Sequence, residues 1–291
     1  MKGIIRSILL FFAAGLFFST CKSAPVPPAE ELLPSLAFTG VEAEDPDHLT
    51  LLFTLTIKNP LPSAGRARIE SWRTEINGKK APSGFNLTYP EYMAFPPAAA
   101  SPGSVSFPLR LDMDVAALAA QGLAPADDYR INLITKLSFS FDSIPPVNVE
   151  VSGLAVFPGV RAPVFTITAI AILKAELINT RFRVTMKIEN PNPFPVELSA
   201  FSYELYGNGR LWADGTEKNI IQVPGKSSVQ GNLFLIMNFI NMKRDLLDQI
   251  IMLQDVNYRF SGEVRVSAGV EYLPAFVTGF DLSGYSEVLE N

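Results

Sequence analysis

The chain has 291 residues, 48% hydrophobic and 18% charged, with a formal net charge of −5 and a mean hydropathy of +0.21. That composition excludes a disordered chain, and the negative charge argues against electrostatic binding to nucleic acid. One Cys and one His exclude a disulfide framework and a zinc site built from those residue types.

In chain order, Lys2 and Arg6 precede an apolar run over residues 8–18, interrupted only by Gly15. Such a run suits the core of a signal peptide and is too short to span a bilayer. Phe18-Ser19-Thr20-Cys21 follows. It resembles a bacterial lipobox, in which cleavage before Cys frees it for diacylglycerol attachment. Thr20 and Phe18 depart from the small residue and the Leu usual there. Residues 1–20 are therefore read as a lipoprotein signal peptide and Cys21 as the lipidation site. The alternatives are an ordinary cleaved signal with a coincidental Cys, or an uncleaved anchor. Removing Lys2 and Arg6 leaves 22 basic against 29 acidic residues, a charge of −7. Residues 21–33 carry Pro25, Pro27 and Pro28. At about 3.1 Å per residue in polyproline II, this stretch forms a tether reaching roughly 40 Å.

Period-2 alternation of apolar and polar residues predicts strands near 35–43, 49–58, 66–76, 104–111, 129–141 and 147–157. A second set follows near 164–176, 180–190, 196–206, 211–222, 228–238, 257–268 and 275–284. The two sets repeat each other. Asn59-Pro60 and Asn190-Pro191, Asn77-Gly78 and Asn208-Gly209, and Ser152-Gly153 and Ser283-Gly284 all recur at an offset of 131. Asn-Gly between two such runs is a hairpin signal, since both turn positions tolerate positive φ. The first copy carries extra residues in a Pro/Ala-rich loop over 82–102. One helix is predicted in each copy. Asp114 caps the first over 115–121, which Gly122 ends. Asn241 caps the second over 242–253. Short strands at this spacing read as all-β sandwiches with one short helix per domain. The domains are 34–160 and 161–288, with the boundary at 158–163. Residues 30–160 have a net charge of −6 and residues 161–291 a net charge of −2. The more acidic copy lies next to the tether and is not expected to lie flat on an anionic leaflet.

In the second copy an alternating strand, Phe182 to Ile188, runs into Asn190-Pro191-Asn192-Pro193-Phe194. The Asn208-Gly209 turn, Val223-Pro224-Gly225 and the closing Gly279 to Gly284 segment follow in order. This pattern resembles the late-embryogenesis-abundant type 2 family, also called the WHy (water stress and hypersensitive response) domain. The first copy keeps Asn59-Pro60 but has Leu61 where the family prefers a second Asn. The resemblance implies two tandem immunoglobulin- or fibronectin-III-like antiparallel β-sandwiches, no catalysis and a link to desiccation stress. Some members of the family are thought to bind lipid in an apolar groove. Proline forces the preceding residue out of the helical region, and an Asn side chain closes turns on its own backbone. Asn59, Pro60, Asn190, Pro191 and Asn192 are therefore read as a structural turn that ends one strand and aims the next.

The candidates for chemistry are few. His48, in Asp45-Pro46-Asp47-His48, is read as an exposed turn, and Asp112, Asp114, Asp127 and Asp128 as capping or solvated carboxylates. Asn86-Leu87-Thr88 fits a glycosylation sequon, read as coincidental. Trp72 and Trp212 are expected in the cores. No phosphate loop or nucleophile motif occurs. No enzyme, cofactor or metal is expected. Leu246, Leu247, Ile250 and Ile251 mark an apolar face on the second helix, with Phe239 just before it. It either fills the open end of the sandwich or walls an apolar groove.

The expectation is a non-catalytic protein of the bacterial cell envelope, held to a membrane by its N-terminal lipid, with a stress-protective or scaffolding role. One alternative is a carrier of lipid or another apolar ligand. The other is a partner-binding, adhesin-like module that uses Phe85, Tyr89, Tyr92 and Phe95 of the Pro-rich loop.

Overall fold

The computed structural model describes residues 33–98, 104–123, 127–142, 144–174, 179–238, 256–286 and 288–290. The signal peptide, Cys21, nearly all of the tether and the 242–253 helix with Phe239, Leu246, Leu247, Ile250 and Ile251 lie outside the described residues. Among the described residues, no helix is long and apolar enough to cross a membrane.

The first half runs β1 (Leu33–Ala43), β2 (His48–Lys58), β3 (Gly65–Ile76), β4 (Lys79–Ala81), β5 (Phe85–Thr88), β6 (Met93–Phe95), β7 (Ser104–Asp114), α1 (Val115–Ala120), β8 (Asp128–Phe141) and β9 (Ile144–Pro158). The second runs β10 (Val164–Lys174), β11 (Asn179–Asn190), β12 (Val196–Gly207), β13 (Arg210–Glu217), β14 (Ile221–Val223), β15 (Ser227–Asn238), β16 (Val256–Val270), β17 (Leu273–Ser286) and β18 (Val288–Glu290). The protein is nearly all β, in antiparallel sheets consistent with β-sandwich domains.

Strand alternation decides which face is buried. In β2, Leu49, Leu51, Phe53, Leu55 and Ile57 are buried while their neighbours reach the outer face. The first half builds the sheets β1-β2-β7-β5 and β4-β3-β8-β9, with β6 also on β3. Their inner faces share one apolar core around Phe53, Leu109, Tyr129 and Phe139. The second half repeats this plan as β15-β11-β10-β18 and β13-β12-β16-β17, with β14 on β12. Its core gathers Phe182, Phe201, Trp212 and Phe260. Trp212 stacks on Phe182 at 5.8 Å, and a side chain at Gly207 would strike its ring. Trp72 packs half-buried against the first core.

The repeat extends to atomic detail. Asn77-Gly78 and Asn208-Gly209 all have positive φ, as hairpin turns of this kind require. In each turn the Asn carboxamide accepts from the next strand along, at the amide of Arg130 and of Asn257. Asp114 caps α1 by accepting the Ala117 amide at 2.9 Å, and Gly122 leaves the helix at φ +72°.

Two stretches differ from expectation. The single strand expected over 211–222 is split into β13 and β14, because Glu217 folds its carboxylate back onto the amides of Lys218 and Asn219. The Pro-rich loop of the first copy is partly sheet, forming β5 on β7 and β6 on β3. Its aromatics turn mostly inward. Phe95 is buried, Phe85 and Tyr89 pack against the core, and only Tyr92 stands out at 63% exposure. That removes most of the surface an adhesin-like reading needs.

Candidate functional site

The family-motif residues sit at one end of each sandwich, with Asn59 directly after β2 and Asn190 the last residue of β11. Asn59 is 4% exposed and Asn190 2%. Asn59 Oδ1 accepts the Leu61 amide at 3.0 Å, closing a turn around Pro60, while Nδ2 donates to the carbonyls of Ser63 at 2.9 Å and Pro96 at 2.7 Å. Asn190 repeats this. Its Oδ1 accepts the Asn192 amide at 3.0 Å, and its Nδ2 lies 2.8–3.2 Å from the carbonyls of Phe194, Val223 and Pro224. Each Asn thus ties the end of one strand to the loop after it and to the loop that follows β6 or β14. Buried backbone groups need such partners.

Asn192 adds a contact the first copy cannot make. It is fully buried. Its Oδ1 accepts the Arg161 amide at 2.8 Å, its Nδ2 donates to the Arg161 carbonyl at 2.8 Å, and its own carbonyl accepts the Lys226 amide. Arg161 belongs to the segment joining the sandwiches, so Asn192 clamps that segment to the second one. Leu61 occupies the matching place in the first copy and has no side-chain amide.

More contacts converge on this junction. The Asp127 carboxylate of the first sandwich meets both Arg161 and Lys226, and its carbonyl accepts the Gly159 amide. The Tyr272 hydroxyl donates to the Pro158 carbonyl at 2.6 Å. Its ring packs edge-on to Phe157 at 5.7 Å and touches both cores. Beside Tyr272 a cleft of about 720 Å³ opens between the sandwiches, lined by Phe38, Val41, Phe157, Phe194 and Val270 among others. Tyr129, below Phe157, is 1% exposed and its hydroxyl has no hydrogen-bond partner. Burial pushes its pKa up to about 12.

The hydrogen bond from Lys226 holds the Asp127 carboxyl below its ordinary value against an opposing desolvation, and Arg161 reinforces it. A depressed carboxyl contributes stability above its unfolded pKa and loses it as pH falls through the folded one. The junction is therefore expected to loosen in acid, below the ordinary aspartate range. Small-angle scattering across a pH series will report this as a growing maximum dimension in wild type, with no comparable acid-dependent step in Asp127→Asn.

The remaining candidates have local structural roles. His48 stays exposed, its Nδ1 3.1 Å from both Asp45 oxygens, and that hydrogen bond raises its pKa. Burial pulls Asp45 up, but the His48 ring and the Asp47 and His48 amides outweigh it and hold Asp45 low. Asp112 accepts the Thr50 hydroxyl at 2.9 Å, and Asp114 is the helix cap. Asn86 lies on β5, paired with Asp112 of β7. Asp127, read as a solvated carboxylate, is instead the ionic centre of the junction.

Residues 185–278 match the family model described as late embryogenesis abundant protein. No curated protein matches the chain. Among solved structures, a protein from Archaeoglobus fulgidus aligns at 18% identity over 43% of this chain and 96% of its own, with a TM-score of 0.27. The periplasmic chaperone SfaE aligns at 13% identity over 89% of this chain and all of its own, with a TM-score of 0.24. A β-glucuronidase from Bacteroides uniformis aligns at 13% identity over 80% of this chain and 26% of its own, with a TM-score of 0.23.

Proposed function

Starting from a chain whose second sandwich carries a late embryogenesis abundant type 2 domain, we propose that it is a non-catalytic, stress-protective lipoprotein of the bacterial cell envelope. Cys21 carries the lipid, the Pro-rich segment after it is the spacer, and the double sandwich is the working part. The observation that carries this reading is the family match over residues 185–278. The side chains of Asn59, Asn190, Asn192, His48, Asp112, Asp114 and Asp127 support it, since they are engaged in turn, cap, cross-strand or junction contacts. The protein then acts through its surface, shielding membranes or proteins as water is withdrawn.

The test is a drying assay. A labile enzyme is dried and rehydrated with the purified protein, with serum albumin at equal mass as control. Recovery well above albumin is the expected result, and recovery no better than albumin overturns the protective role.

The cleft at the junction favours a second reading, carriage of an apolar ligand. Its aromatic and aliphatic walls suit a hydrocarbon chain. Native mass spectrometry of protein purified from its membrane separates the two. A stoichiometric bound lipid supports carriage, and a bare polypeptide counts against it.

A further inference from the structure

The two sandwiches differ at one seam. In the first, β9 closes against β1, and a side chain added at Gly153 would lie 2.8 Å from the Leu36 carbonyl and side chain. That approach covers the outer edge of β1. In the second, the matching Gly284 lies instead against the Tyr258 ring of its own sheet, where an added side chain would meet the hydroxyl at 2.9 Å. The edge of β10 is not sealed in the same way, and a strand with no counterpart in the first sandwich lies on it. β18 pairs with β10 through Ile170 with Val288, Ala171 with Leu289 and Ile172 with Glu290. This is the only parallel pairing among the described residues.

Three features make this strand exchangeable. A three-residue parallel ladder is a weak attachment, because parallel pairing is less stable per residue and short ladders are marginal. β17 ends at Ser286 in one sheet and β18 begins at Val288 in the other. A connection that short between two sheets favours passing the strand to a neighbour over folding it back. Residues 164–169 of β10 have only β11 as a ladder partner among the described residues, so the edge continues beyond the tail. Open edges of this kind recruit strands.

We propose that β18 is exchanged between two copies of this chain, each laying residues 288–290 on β10 of the other. The occupant that fits this edge is the one already seated on it, and a second copy carries the same residues. Exchange therefore needs no new complementarity and closes as a two-fold dimer.

The test places thiols at the register partners Ala171 and Leu289, in full-length protein with Cys21→Ser to remove the native thiol. Mild oxidation then joins Ala171→Cys to Leu289→Cys as a direct disulfide, because Ala171 is 3% exposed and a thiol there is closed to a maleimide. Covalent dimers at twice the 31.8 kDa chain mass, increasing with protein concentration, are expected. Cross-links confined to single chains at every concentration overturn the exchange. Light scattering on the chain without engineered thiols gives a check independent of the cysteines. Leu289→Pro, which removes a ladder donor, is expected to convert dimer to monomer with an unchanged far-ultraviolet spectrum. A wild type that is already monomeric, or a dimer that survives Leu289→Pro, overturns the proposal.

Discussion

Replacing Asn190 by alanine is expected to lower the unfolding free energy of the second sandwich by roughly 3–4 kcal/mol, since each buried backbone group left unpaired costs about 1–3 kcal/mol. Asn190 is buried, and its carboxamide serves the Asn192 amide on one side and the carbonyls of Phe194, Val223 and Pro224 on the other. A loss of that size is a large fraction of the roughly 5–15 kcal/mol that holds a domain folded. Urea denaturation checks it, read as a fall in midpoint at constant slope. Asn190→Asp is also expected to be damaging, because a carboxylate offers no donor to three carbonyls. Should Asn190→Ala unfold like wild type, the side chain is not the staple described here.

Asn192→Leu is expected to cost roughly 2–3 kcal/mol, because the amide and carbonyl of Arg161 both lose their partner. The substitution gives the second copy the residue the first already has at Leu61. Unlike Asn190→Ala, it should act mainly at the junction. The Asn190 turn survives, since the bond to Asn190 Oδ1 comes in part from the backbone amide of residue 192. The sandwiches should then sample more relative orientations, seen as a larger maximum dimension in solution scattering. A variant that destabilises neither the fold nor the junction contradicts the clamp.

Much of the fold was legible because its causes are local. Alternation in β2 and β11 reports burial directly, and Asn77-Gly78 and Asn208-Gly209 carry the turn that positive φ demands. Asp114 sits where a helix needs an acceptor. The split between β13 and β14 was not legible, because Glu217 breaks the strand by turning back on its own backbone. Three residues of β18 are too few to show a period. The aromatics of the 82–102 loop left an adhesin-like surface open as an alternative, because sequence cannot tell which side of a short strand faces the core.

The junction was the least legible part. Asn192 reaches Arg161 across 31 positions, and Asp127 reaches Lys226 across 99. No periodicity connects such residues. One signal was present, the departure from the family pattern at Leu61. Asn192, which stands where the first copy has Leu61, is the residue that holds the joining segment through Arg161.

The central claim is that the Asn-Pro-Asn motif holds backbone and ties the segment joining the two sandwiches to the second one. Hydrogen exchange at the Arg161 amide, which donates to Asn192 Oδ1, tests it most directly. Strong protection in wild type is predicted. In Asn192→Leu that protection should be lost, while the amides of β11 and β15 stay unchanged. An Arg161 amide that exchanges in wild type as fast as an open coil would contradict the claim.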